Sequence, residues 1–402
     1  MAATGTSHDT DAGFVPVVAA LATAQVLSWA ALYYAFSSFV LPMMRALAWD
    51  KATLMGAFSL GLACWGAATY AMGAAIDRGH GRRVLAGGAA LAGLGFLAWS
   101  QVTSPWQLYA VWALLGTTMA MTLYDPVFSV LTRRYPTRYR QAITAMTLVG
   151  GFASTLSFPA CELLIRSLGW RPALLVIGGV MLVVVVPLQA WALRGQDAVV
   201  KSGAATDSTP HTLHEALRER AFWLLTLCFT LLAFATAALW AHMMPAFEAK
   251  GWTSTQALAV VVWIGPAQVL GRLLYVAAAR WVPLRLLGLG VMLAMPAALA
   301  LFAVADHLAA LLCFALLFGM ANGLVTLVRG GLVPEYFGRE HIGRISGAMG
   351  GMALLARAAA PLAAAWLLLS LPGYRELVGV MALFALAAAG AFMLARPPTP
   401  PG

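Results

Sequence analysis

Charge is scarce in this chain. Only 10% of its 402 residues are charged, against about 25% in ordinary soluble domains. That is too little ionised surface to keep a core of this size in water. Cysteine is scarce too. Cys64, Cys161, Cys228 and Cys313 each sit inside an apolar run with no CxxC spacing, which argues against a disulfide framework or a thiolate metal site. The apolar runs lack the strict alternation of a membrane barrel. There is no HExxH, no GxSxG, no Walker loop and no acid cluster with metal spacing, so neither enzymatic chemistry, a metal nor a cofactor is expected. The first 16 residues contain no Lys or Arg and run straight into a long apolar segment, so no cleavable signal peptide is expected.

What is there is apolar: 61% of the residues are hydrophobic. Runs of about 20 such residues can cross a bilayer as helices. Twelve are predicted, over 17–47, 52–76, 84–101, 106–132, 142–166, 172–193, 221–247, 255–279, 284–304, 308–333, 345–371 and 374–395. Basic residues concentrate on one side. The loops of the opposite side hold only Arg45, Lys51, Arg166, Arg171, Lys250 and Arg375. This bias predicts both termini in the cytoplasm. The net charge of +10 therefore reports topology, and no nucleic-acid partner is expected.

The longest polar stretch, 194–220, is predicted to be a cytoplasmic linker between an N-terminal bundle over 1–193 and a C-terminal bundle over 221–402. The halves echo each other. "GGFA" from Gly150 returns as "GGMA" from Gly350, Pro159 as Pro361, and "LGWR" ending at Arg171 as "PGYR" ending at Arg375. Arg78 and Arg83 return as Arg280 and Arg285, and Tyr135 and Arg138 as Tyr336 and Arg339. Two parallel six-helix repeats are an architecture of alternating-access carriers, whose substrate site lies near the midplane.

One stretch gathers charge, "GAAIDRGHGRR" between spans two and three. It resembles the signature loop of the major facilitator superfamily through Gly73, Asp77, Arg78, Arg82 and Arg83. His80, between Gly79 and Gly81, replaces the usual central glycine. The resemblance covers the whole chain. It implies an all-α membrane protein of twelve transmembrane helices in two pseudo-symmetric six-helix bundles, in which this loop forms a cytoplasmic charge network that locks the outward-open state. Positive charge kept inside for topology is the plainer reading of the same bases.

Three arginines lie within spans, where each costs about 2.5–3.5 kcal/mol on insertion scales. Arg357 lies about 20 Å from either end of its predicted helix, too deep to snorkel. Arg272 lies about 12 Å in, and Arg329 about 9 Å in, where snorkelling or a gate pair suffices. Shifted by half the chain, Arg272 faces Tyr70, Arg329 faces Val127 and Arg357 faces Thr155, so the repeated fold does not itself require arginine there. A guanidinium's fork suits a carboxylate.

"GPAQVLGRLL" and "GMALLARAAAPL" look like helices 8 and 11 of the monocarboxylate porter and oxalate:formate antiporter branch. That resemblance implies Arg272 and Arg357 as ligands of an anionic substrate, with Tyr33, Tyr34, Tyr70 and Gln268 as further binding candidates. Gln268 stands where porters often carry an acid, which argues against proton symport through that position. For Arg272, bridging of helices is the alternative. Asp125 has three readings: a proton carrier, a partner of Arg329, or a cap compensating for Pro126. His242 is read either as a gate or titrating group or as a satisfied interfacial histidine. Tyrosines in spans are commonly packing.

The expected function is secondary transport of a small organic anion, a mono- or dicarboxylate, by a monomer in the inner membrane, with a coupled proton as an open question. The alternatives are a proton-coupled exporter of amphiphilic compounds or drugs, disfavoured by the lack of an arginine in helix 4, and a transporter-like receptor, disfavoured by the gate loop.

Overall fold

The computed structural model describes residues 13–194 and 211–397. Most of the predicted linker, 195–210, and the first twelve residues lie outside the described residues. The chain divides into two compact units, Met1–Ala205 and Thr206–Gly402, and among the described residues every regular element is helical.

In unit 1, α1 spans Phe14–Leu47, α2 Lys51–Ala75 and α3 Gly81–Trp99. The last two run together as one apolar stretch, Ala52–Trp99, parted by a turn in which Gly79 has φ 91°. That left-handed conformation is open to glycine at no steric cost. Helix α4 occupies Pro105–Arg134, α5 Tyr139–Leu168 and α6 Trp170–Ala192. Unit 2 begins with a short helix, Leu213–Arg218, opened by a reciprocal cap in which Thr212 N–H donates to Glu215 at 2.7 Å. Its spans are α7 Arg220–Ala249, α8 Thr255–Ala278, α9 Leu284–Val304, α10 Leu308–Phe337, α11 Ile342–Leu368 and α12 Tyr374–Leu394. With the second stretch parted at Gly79, these are the twelve predicted spans.

Several helices are less regular than their hydropathy suggests. Helix α4 breaks at Leu123, where ψ is −158°. Pro126 lacks the N–H that would bond the Thr122 carbonyl, and Gln25 of α1 supplies a donor instead, Nε2 to that carbonyl at 2.5 Å. Helix α5 pauses between Gly150 and Ala153, and α8 between Val261 and Ile264. Wide π-type turns occupy Ala30–Tyr34 and Met181–Val185.

Both units are tightened in the same way. A Cβ on Gly116 of α4 would lie 1.9 Å from the Gly61 carbonyl of α2. A Cβ on Gly319 of α10 would lie 2.6 Å from the Ile264 carbonyl of α8, and both residues stand 203 positions later. Small residues of this kind let membrane helices approach backbone to backbone.

The repeat also extends to carbonyls at helix ends. In unit 1, Arg171 donates to Ser100 at 2.5 Å and to Val102 at 2.8 Å. The corresponding carbonyls of unit 2, Ala303 and Ala305, take their donors from Lys250 at 3.1 and 2.9 Å. The need recurs, but a different residue meets it.

Candidate functional site

In unit 1 the signature loop follows α2. Gly73 is buried, while Arg78 and Arg83 are exposed and Arg82 is half-buried. The Asp77 side chain is only 1% exposed and faces Arg133 of α4, with Oδ1 to Nη1 at 3.9 Å. The same Nη1 donates to the Ile76 carbonyl at 2.6 Å. Arg133 therefore fastens the loop to the end of α4 through one charge contact and one backbone bond. Arg133 lies outside the signature stretch, so the motif alone does not point to it. A basic last turn on the helix after next is a weak signal for such a partner.

Deeper in unit 1, the π-type turn of α1 carries Tyr33 and Tyr34, with ring centroids 5.2 Å apart. Tyr33 lies 5.5 Å from Trp29 and 6.4 Å from Trp65, and Trp29 lies 4.9 Å from Tyr124. Both tyrosines are half-buried in this aromatic cluster, whereas Tyr70 of α2 is exposed. π-type turns are rare and frequent at functional sites. Asp125 falls in the first turn of the lower half of α4, just after the Leu123 break. There a carboxylate meets the positive end of a helix, while the cap position itself is held by Leu123 with no side-chain cap.

In unit 2, Arg272 of α8 is 5% exposed, and its Nε donates to the Gly323 carbonyl of α10 at 2.9 Å. A Cβ on Gly323 would lie 2.7 Å from the Gln268 carbonyl, so one glycine both admits α8 and presents the acceptor. Gln268, one turn before Arg272, is half-buried, as is Arg329 of α10. Arg272 thus bridges two helices whatever else it does.

Arg357 is placed differently. It stands fifteen residues after Ile342 and eleven before Leu368, or about 22 and 16 Å along the helix. It is exposed, and among the described residues no hydrogen bond or ion pair holds it. At 100° per residue, the exposed Leu355, Leu362, Trp366 and Leu369 all fall on the opposite side of α11. The arginine therefore avoids the stripe suited to lipid. Pro361, one turn on, cannot donate to the Arg357 carbonyl. That turn also receives His242 of α7, with Nε2 3.1 Å from the Pro361 carbonyl. Its ring centroid lies 6.1 Å from that of Tyr374. Arg357 and Arg272 make no contact with each other. Among the described residues no cluster of three metal-ligating side chains occurs.

The comparisons agree with this architecture. The Major Facilitator Superfamily model matches residues 21–361. No curated protein matches the chain. Among solved structures, the Escherichia coli fucose:proton symporter FucP superposes with a TM-score of 0.75 at 12% identity, covering 96% of this chain and 99% of that one. The human organic anion transporter MFSD10 gives 0.69 at 16%, covering 94% and 99%. A bacterial homolog of the human lysosomal transporter Spinster, inward-facing and unoccupied, gives 0.60 at 14%, covering 97% and 98%. At such identities these likenesses speak for the fold, and the family match carries the assignment. The chain belongs to the Major Facilitator Superfamily and is a multi-pass membrane transporter, not an enzyme.

Proposed function

We propose that this transporter carries a small organic anion, a mono- or dicarboxylate, across the cytoplasmic membrane, and that Arg357 binds its carboxylate. The observation behind this reading is the exposed guanidinium deep along α11, turned from the apolar stripe and held by no bond among the described residues. Keeping it there is costly in hydrocarbon. A carboxylate meeting it with two charge-assisted bonds recovers much of that cost. Arg272 is the second basic group of the reading, its orientation fixed by Gly323. The likeness in fold to the human organic anion transporter MFSD10 supports an organic anion as the cargo.

Uptake of labelled lactate, pyruvate and oxalate into proteoliposomes, with and without a pH gradient, tests this. Arg357→Gln is expected to lower uptake of the transported acid by one to two orders of magnitude, roughly the value of a lost charge-assisted bond pair, while Arg357→Lys retains part of it. A folded Arg357→Gln protein with wild-type uptake would refute the anion site. Dependence of flux on the pH gradient reports proton coupling separately.

A further inference from the structure

At the end of unit 2 where α7 and α9 finish and α12 begins, a cavity of about 290 Å³ is lined by Lys250, Phe302, Ala303, Tyr374, Arg375 and Glu376, among others. The transport reading does not use it. Unit 1 shows what is unusual here. Arg171, the counterpart of Arg375, commits both terminal nitrogens to the carbonyls of Ser100 and Val102. In unit 2 Lys250 has taken over those carbonyls. Arg375 is left exposed beside the cavity, without a hydrogen bond or ion pair among the described residues.

The charges are ordered along the span. The Lys250 ammonium is level with the last turn of α9, and its side chain is 12% exposed. Asp306 lies 3.7 Å from it, 88% exposed, just past the end of α9. Asp306 pairs with that ammonium but lies largely in solvent, so an anion in the cavity would compete only with an exposed partner. Val304, adjacent to the lining residue Ala303, is an exposed aliphatic. Cation at the span end, anion farther out and aliphatic surface beside them match the order phosphate, amine and acyl chain of a lipid at the interface.

We propose that this cavity holds the headgroup of a zwitterionic phospholipid, with its phosphodiester between Lys250 and Arg375 and its ammonium toward Asp306 and Glu376. The volume falls just short of the ~300 Å³ at which pockets for whole small ligands begin, which suits a headgroup whose chains stay outside. A free phosphate offers the same anion without amine or chain.

The test uses delipidated full-length protein in detergent, titrated with dioleoyl-phosphatidylethanolamine and followed by native mass spectrometry. Dioleoyl-phosphatidylglycerol, glycerophosphoethanolamine and inorganic phosphate form parallel arms. One phosphatidylethanolamine is expected to be retained in preference to phosphatidylglycerol, with retention roughly tenfold weaker in Arg375→Gln. Undiminished retention in that variant, or equal retention of phosphatidylglycerol, would overturn the proposal. So would displacement of the lipid by millimolar inorganic phosphate or by glycerophosphoethanolamine, which would make the site one for free anions. A lower melting temperature of lipid-free Arg375→Gln at neutral pH would make the arginine structural and count equally against it.

Discussion

A proline inside a helix leaves one carbonyl without its donor, and here the consequence can be followed to a named side chain. Pro126 orphans the Thr122 carbonyl, and Gln25, fully buried, answers it from α1. Gln25→Leu keeps the bulk but removes the donor. It is expected to lower stability by about 1–3 kcal/mol, read as a lower melting temperature in detergent, without weakening substrate binding. Lys250 gives a pH prediction. Burial holds its ammonium below the usual 10.5, Asp306 opposes that shift and Arg375 adds to it. The unfolded chain therefore keeps this proton to higher pH than the folded one. The group's contribution to stability is poorest below its folded value and improves as pH climbs from there through 10.5. A melting series over that window should show the rise, and Lys250→Gln should abolish it.

At the scale of elements, the pairing of α8 with α10 depends on Gly319 and Gly323. Gly323→Leu would drive a side chain into the Gln268 backbone and disturb the acceptor of Arg272. Overpacking of this kind costs about 1–3 kcal/mol, and melting temperature and uptake are expected to fall together. Hydropathy located the spans well: the predicted 284–304 coincides with α9, and 374–395 overruns α12 by one residue. It did not show the break at Leu123 or the π-type turn at Ala30–Tyr34. The π-type turn lies in uninterrupted apolar sequence, whereas Asp125 and Pro126 mark the neighbourhood of the break without fixing its backbone geometry. Nor did it show the contact of Asp77 with Arg133, which joins segments 56 residues apart. Arg357 was legible for the opposite reason. One charge in a long apolar run stands out whatever the local geometry, and the exposed stripe of α11 then shows which side it avoids.

For the whole molecule, we propose that the signature loop releases and re-forms its contacts during turnover. Asp77→Asn removes the charge facing Arg133 while keeping similar bulk. It is expected to slow proteoliposome uptake severalfold with substrate binding nearly unchanged. Arg133→Gln should behave alike, since it loses the same pair together with the bond to Ile76. Unchanged turnover in both variants would remove the loop from the transport cycle. The two halves carry a further lesson in the carbonyls at the ends of α3 and α9. Aligning the halves by side-chain identity equates Arg171 with Arg375, although in unit 2 a lysine from another loop meets the carbonyls that Arg171 meets in unit 1. The two units thus meet one geometric obligation with different residues. An arginine relieved in this way can drift toward a new role without disturbing the backbone it once secured.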